Sequence, residues 1–352
     1  MTTAPALIDI RSYRLTDLKR ILCESSEESF RANQVFEWLW KRHSVDFDLM
    51  TNLSMSLREK LKNDFLILPL HIDRFIESRD GTVKYSFRTH DDHLVEGVLI
   101  PSGKRMTACI STQVGCSLEC TFCATGQLRF RRNLSAGEIL DQFSLINEEA
   151  IRRYDRKLTQ MVLMGMGEPL LNYENVMTAI DNITDRNGCD FSPRRITLST
   201  AGVISMIRRL ADDRLRCELA ISLHTASEEK RNSIMPLNRT NPLSALSAAI
   251  EYFYKKTGTR ITYEYLMLKD FNDQIKDAEE LAVFCRISPC KINLISYNEV
   301  PGRPFSRSVQ NRVRQFRDYL ENKNLVVTVR TSRGEDITAA CGQLAGSEGQ
   351  KS

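Results

Sequence analysis

The sequence predicts an α/β fold with a parallel sheet and a small helical domain in front of it. Two observations carry this. From Lys104 onward, six β-rich segments (RMTACIST, LTQMVLMG, RRITLST, CELAISLH, RITYEYLML, KINLISYN) are each followed by a stretch of helical periodicity, and strands alternating with helices pack as a parallel sheet, either an open doubly wound one or a full or partial barrel. From Tyr13 to about Phe65, by contrast, apolar residues recur only at three- and four-residue spacing, the pattern of helices packed on helices.

In chain order, LTDLKRILCES, SFRANQVFEWLWKRHS and MSLREKLKNDF are the three helices of a domain expected over residues 1–75. TVKYSFRTHDDHLVEGVLIPSG alternates around His90-Asp91-Asp92-His93 and predicts a β-hairpin, placed in a linker over 76–103. The main domain is expected over 104–335. Its first helix opens at Ser135, which forms a capping box with Glu138, and buries Ile139, Phe143, Ile146 and Ala150. A last strand, LVVTVR, precedes a tail over 336–352. The active site of such a sheet lies at the C-terminal ends of its strands.

Composition sets outer bounds. The chain has 352 residues, 42% hydrophobic and 27% charged, with a net charge of +4. That is an ordinary soluble composition, compatible with RNA binding but too mildly basic to argue for it. There is no run of about 18 apolar residues, and the N-terminus lacks an apolar stretch with a cleavage site, so a cytoplasmic location is expected. Ten cysteines in a reducing compartment point to metal or catalytic chemistry where they cluster.

They cluster once, in GCSLECTFCATG, where Cys116, Cys120 and Cys123 make a C-x3-C-x2-C run directly after the first barrel strand. Three unrelated core thiols are one reading. Zinc is a second, but it would draw a fourth ligand from another pair, and no C-x2-C or H-x3-H partner follows. An iron–sulfur cluster normally takes four cysteines, so three leave one iron of a [4Fe-4S] cluster open to a substrate or cofactor. Elsewhere, GMGEPL follows the second strand, and its Glu168 could accept from an ammonium group; a tight turn explains it as well. Taken alone, Cys109 reads as a strand thiol, Cys341 as a surface thiol, Glu96 as a solvated charge and His224 as an uninformative histidine. RFRRN at 129–133 suits phosphate pairing and base stacking, or a plain solvated loop, and the two tryptophans of FEWLWKRH suit a core.

The C-x3-C-x2-C run with Phe122 before its last cysteine resembles the radical S-adenosylmethionine superfamily. With MGMGEPLLN, SPRRITLSTAG, ISLH, MPLN, YNEVPG, DITAACGQLAG and the N-terminal FRANQVFEWLWKRH and MTNLSMSLREKL, nearly the whole chain resembles the RlmN/Cfr family of RNA methyltransferases. Pro169, where the Cfr branch carries alanine, and RTSRGEDI favour the adenine-C2 (RlmN) branch over the adenine-C8 branch. The resemblance implies a partial (β/α)6 TIM-like barrel of the radical SAM type, with an RNA-binding accessory domain. It implies a [4Fe-4S] cluster on Cys116, Cys120 and Cys123, and two S-adenosyl-L-methionine molecules per turnover, contacted by Gly167, Glu168, Ser199, Ser222, Leu223, His224 and Asn298. It implies that Cys341 becomes S-methylcysteine, that Cys109 resolves a covalent protein–RNA adduct through a transient disulfide with Cys341, and that Glu96 accepts the proton. Its substrates would be 23S rRNA at the peptidyl-transferase centre and tRNA beside the anticodon, with a low-potential donor such as flavodoxin and a monomeric enzyme. Two rivals remain: a Cfr-like adenine-C8 methyltransferase, and a metal-stabilised RNA-binding module without radical chemistry.

Overall fold

The computed structural model describes residues 7–345; residues 1–6 and the end of the tail, 346–352, lie outside them. Three helices, α1 (Leu15–Glu24), α2 (Ser29–Trp40) and α3 (Met55–Asp64), form the N-terminal unit. Their apolar faces close on Leu18, Leu22, Val35, Phe36, Leu39, Trp40, Leu57 and Leu61, all buried. Trp40 is a core residue, whereas Trp38 reaches the surface, bonded to Asn52 at 2.6 Å with Arg42 stacked 4.3 Å over its ring.

The sheet has ten strands whose spatial order is their chain order. β1 (His71–Glu77), β2 (Val83–Arg88) and β3 (Leu94–Ser102) form an antiparallel meander, and β3 pairs antiparallel with β4 (Arg105–Cys109). From β4 the sheet is parallel through β5 (Gln160–Leu163), β6 (Ile196–Thr200), β7 (Glu218–Ser222), β8 (Ile261–Met267), β9 (Cys290–Ser296) and β10 (Val326–Arg330). Helices cover the outside: α4 (Ala136–Tyr154), α5 (Tyr173–Thr184), α6 (Ile204–Asp212), α7 (Glu228–Ile234), α8 (Leu243–Thr257), α9 (Ile275–Phe284) and α10 (Gln310–Glu321). β8, covered on both faces, is buried at every residue, as central parallel strands are.

The sequence-predicted hairpin is present as β2–β3, but it is part of the main sheet, and β1 adds a strand across the 75/76 boundary. β3 supplies the hydrogen-bonding partner that the open edge of β4 would otherwise lack. The capping box that opens α4 forms as expected: the Glu138 N–H donates to Ser135 Oγ at 3.2 Å, and the Ser135 N–H to Glu138 Oε2 at 2.8 Å.

Two polar contacts pin the N-terminal unit to α4, one buried and one partly buried. Arg11 donates to Asp141 at 2.6 Å and to Asp9 at 2.9 Å, with all three side chains buried. Such a triad is a device for register more than for net stability, because desolvation offsets most of its Coulomb energy. The second contact joins His43 Nδ1 to Ser144 Oγ at 2.9 Å. Burial, assisted by Arg11, lowers the His43 pKa to about 4. An unfolded imidazole protonates near its usual 6.5, so between the two values the unfolded chain binds the extra proton and stability falls as pH is lowered. Urea unfolding from pH 7 to 4 is expected to show that loss, and His43→Gln is expected to shallow it by close to one proton's worth of slope. An unchanged slope would mean that His43 titrates alike in both states.

Candidate active site

The loop after β4 carries Cys116, Cys120 and Cys123, at the C-terminal ends of the barrel strands. It is tightly shaped: a Cβ on Gly126 would lie 2.7 Å from the Cys120 carbonyl oxygen, so only glycine lets the chain fold back beneath the second thiol. The Thr121 N–H donates to the Ile234 carbonyl at 3.0 Å, and the Ala124 N–H to the Gly342 carbonyl at 2.7 Å. Thr125 Oγ1 donates to the Leu344 carbonyl at 2.5 Å. The C-terminal tail is thereby docked on the cysteine loop, across more than two hundred residues of chain.

The three thiols line one cavity of about 170 Å3 and pack against Leu118, Phe122 and Met235. Burial pushes the Cys116 thiol up to about 12 and Cys120 well above its ordinary range, with the other two thiols of the loop contributing to the Cys120 shift. Thiolates here would need a compensating positive group. Among the described residues, no three His, Cys, Asp or Glu side chains draw together as one metal ion requires. The donor set, three soft sulfurs each facing a shared cavity, suits a larger iron–sulfur group bound at separate irons.

Gly167, Glu168, Ser199, Ser222 and His224 line the same cavity. Glu168 is buried, and burial raises its pKa; its two carboxylate oxygens accept the N–H groups of Leu170 at 3.1 Å and Ala201 at 2.8 Å. A carboxylate has lone pairs beyond these two, so it can still receive an ammonium group. The positive φ of Gly167, 98°, serves packing: a Cβ there would meet Gln113 Cβ at 2.5 Å. The close approach is to a neighbouring strand's extension, a reason the sequence reading did not include. His224 stands edge-on to Phe122, ring centres 4.8 Å apart, and accepts the Leu266 N–H at Nδ1 at 3.1 Å. Burial, with Arg231 adding, lowers its pKa to about 3. It is therefore a neutral imidazole whose free Nε2 carries the hydrogen.

A second cavity of about 420 Å3 adjoins the first, and Cys109 and Cys341 both line it. Cys341 lines both cavities. Its side chain is exposed to these spaces, and desolvation by the neighbouring protein raises its pKa against the pull of Arg330. Burial likewise pushes Cys109 up to about 12, with Cys341 adding to the rise and Arg330 opposing it.

Three expected contacts stand elsewhere. Leu223 lines neither cavity: its side chain is fully buried in the core, and its carbonyl accepts Arg231 Nε at 3.2 Å. Asn298 borders the larger cavity and donates to the Cys341 carbonyl at 3.4 Å. Glu96 is buried under the tail, where its carboxylate accepts the Ala345 N–H at 3.0 Å and pairs with Lys84 at 3.5 Å. Sequence reasoning overlooked Arg330 and Glu264, which line the smaller cavity and pair at 3.3 Å. Their signal was available: Glu264 is the one charged residue of its barrel strand, and Arg330 ends the last one.

Residues 8–67 match the family model described as "Ribosomal RNA large subunit methyltransferase N-terminal domain", and residues 110–282 match "Radical SAM superfamily". The probable dual-specificity RNA methyltransferase RlmN of Cytophaga hutchinsonii is 50% identical over 96% of this chain and 92% of its own. The dual-specificity RNA methyltransferase RlmN of Anaeromyxobacter dehalogenans is 43% identical over 97% of this chain and 92% of its own. The chain belongs to the RlmN family. A crystal structure of a radical SAM methyltransferase from Sphaerobacter thermophilus, 40% identical, superposes with a TM-score of 0.88 over 96% of this chain and 99% of that one. In this RlmN-family chain the radical SAM match begins at the residue after Cys109 and ends before Cys341.

Proposed function

We propose that this RlmN-family enzyme methylates carbon 2 of an adenine, in 23S rRNA at the peptidyl-transferase centre and in tRNA beside the anticodon, using Cys341 as a methyl carrier and Cys109 as the thiol that releases the product. The observation that carries the reading is that Cys341 borders both cavities, with the three-cysteine loop on one side and Cys109 on the other. Cys116, Cys120 and Cys123 would hold a [4Fe-4S] cluster, and Gly167, Glu168, Ser199, Ser222 and His224, with main chain at Leu223 and side chain at Asn298, would hold S-adenosylmethionine. When bound, these groups supply a methyl from one S-adenosylmethionine and, by one-electron cleavage of a second, a 5′-deoxyadenosyl radical that removes hydrogen from the carried methyl.

Cys341 sulfur gives up its proton and forms the S–CH3 bond, a step that the nearby Arg330 guanidinium favours by stabilising thiolate. Once hydrogen is removed, the Cys341-bound methylene carbon adds to adenine C2, an sp² carbon with too little nucleophilicity to take a methyl directly. The base returns one electron and loses its C2 proton. Glu96 is the acceptor we assign, and reaching the base requires its bonds to Ala345 and Lys84 to open. Cys109 then attacks Cys341 sulfur: an S–S bond forms, the S–CH2 bond breaks, and its electron pair stays on carbon, which takes a proton to become the methyl group. External reductant restores the two thiols. A low-potential protein such as flavodoxin fits the electron requirement. The reading is of a monomer working on RNA in the cytoplasm; among the described residues no helix is long and apolar enough to cross a membrane.

Anaerobic turnover with unmodified tRNA and a 23S rRNA fragment, followed by nucleoside digestion, is expected to yield 2-methyladenosine. Recovery of 8-methyladenosine would place the enzyme in the Cfr branch, and a protein that binds RNA without consuming S-adenosylmethionine would leave only a binding module.

A further inference from the structure

The larger cavity follows the inner face of β4. Arg105, Thr107 and Cys109 alternate along that strand, so their side chains share one face, and all three line the cavity. Four residue steps separate the first from the last, about 13 Å. The cavity therefore has a gradient along its length, from the buried Cys109 thiol to the exposed Arg105 guanidinium. The segment following β10 faces it with Arg333. Among the described residues Arg105 has no carboxylate partner, and Arg333 has only Asp80, at 3.8 Å. The buried Ser332 hydroxyl at this wall has no hydrogen-bond partner either. One unpaired and one weakly paired guanidinium on the cavity wall, with the Cys109 and Cys341 sulfurs farther in, are complementary to a nucleotide inserted base-first, because phosphates seek guanidinium groups while the base must reach the sulfur. Enzymes that modify a base commonly take it out of its stack into such a pocket.

We propose that this cavity receives the target adenosine and that Arg105 and Arg333 clamp the phosphates flanking it. The proposal rests on the RNA-methylation reading above and adds the residues that position the substrate. It assigns no acid, base or radical step to either arginine: both act on binding.

The test uses the full-length, cluster-loaded enzyme and unmodified tRNA as the probe, with Arg105→Ala, Arg333→Ala and Arg105→Lys. Removing a charged phosphate partner is expected to raise Kd and KM about tenfold, with a smaller change in kcat. The log–log dependence of binding on salt is expected to become shallower by about 0.7 to 0.9 for each phosphate no longer neutralised. Arg105→Lys is expected to recover most of the salt slope and less of the affinity, since lysine keeps the charge and lacks the bidentate fork. A residue that merely supported the fold would move the thermal midpoint and leave the slope alone. Unchanged Kd and slope in both alanine variants would overturn the clamp, as would a loss confined to kcat. Binding is read without turnover, so the clamp is tested even if the wild type fails to methylate; that failure would instead count against the RNA-methylation reading.

Discussion

Cys109→Ala is expected to convert the enzyme from a catalyst into a trap that accumulates covalently joined to RNA. Loading of Cys341, hydrogen removal and addition to the base make no use of Cys109, so the variant should advance to the methylene-bridged adduct. Release alone needs a second sulfur. Cys109 lines the same cavity as Cys341; the third thiol on that cavity, Cys123, is assigned to the cluster, and water or alanine cannot replace Cys109 in forming the S–S bond that lets the S–CH2 bond break. The conjugate should survive denaturing electrophoresis, disappear on ribonuclease treatment and be nearly absent from wild type, while multiple-turnover product falls by at least about 10³-fold. Truncating one small buried side chain should cost little stability beside the loss of function, about 1 kcal/mol. Normal turnover, or inactivity without an adduct, would return Cys109 to the role of a strand thiol.

Cys341→Ala separates the carrier from the cluster. The tail's anchors on the cysteine loop run through main-chain groups, the Gly342 and Leu344 carbonyls, so alanine should keep the tail in place. The three ligands of the loop are untouched. Iron content and the visible absorption of the reconstituted protein should match wild type, and reductive cleavage of S-adenosylmethionine should persist, while RNA methylation drops by at least about 10³-fold. Cys116→Ala is expected to lose iron and cleavage together. If Cys341→Ala still produced methylated adenine, the methyl would have to travel another way.

The barrel was legible because each strand from β4 to β9 is a short apolar run followed by a helical period, and those signals are local. The α4 cap was legible for the same reason, being four residues of side-chain chemistry. The place of the hairpin was not, since pairing β3 with β4 is a choice of neighbour that alternation does not encode. β1 carried little signal because most of its residues are exposed. At the site, the loop cysteines could be read from spacing, and so could their position after the first barrel strand. The docking of the tail on Ala124 and Thr125 could not, because the groups involved are mostly backbone and lie far apart in sequence. Glu168 has a partner set, Leu170 and Ala201, that only the fold supplies. Glu96, which reads from pattern as an exposed hairpin charge, is buried by the tail that covers it.

The central claim, that Cys341 carries the methyl group, is tested most directly by mass spectrometry of the peptide containing Cys341 from active enzyme purified anaerobically and incubated with S-adenosylmethionine. The account predicts one added methyl on that cysteine, present before RNA is supplied and consumed in a single turnover when RNA is added. An active enzyme whose Cys341 remained an unmodified thiol throughout would contradict it.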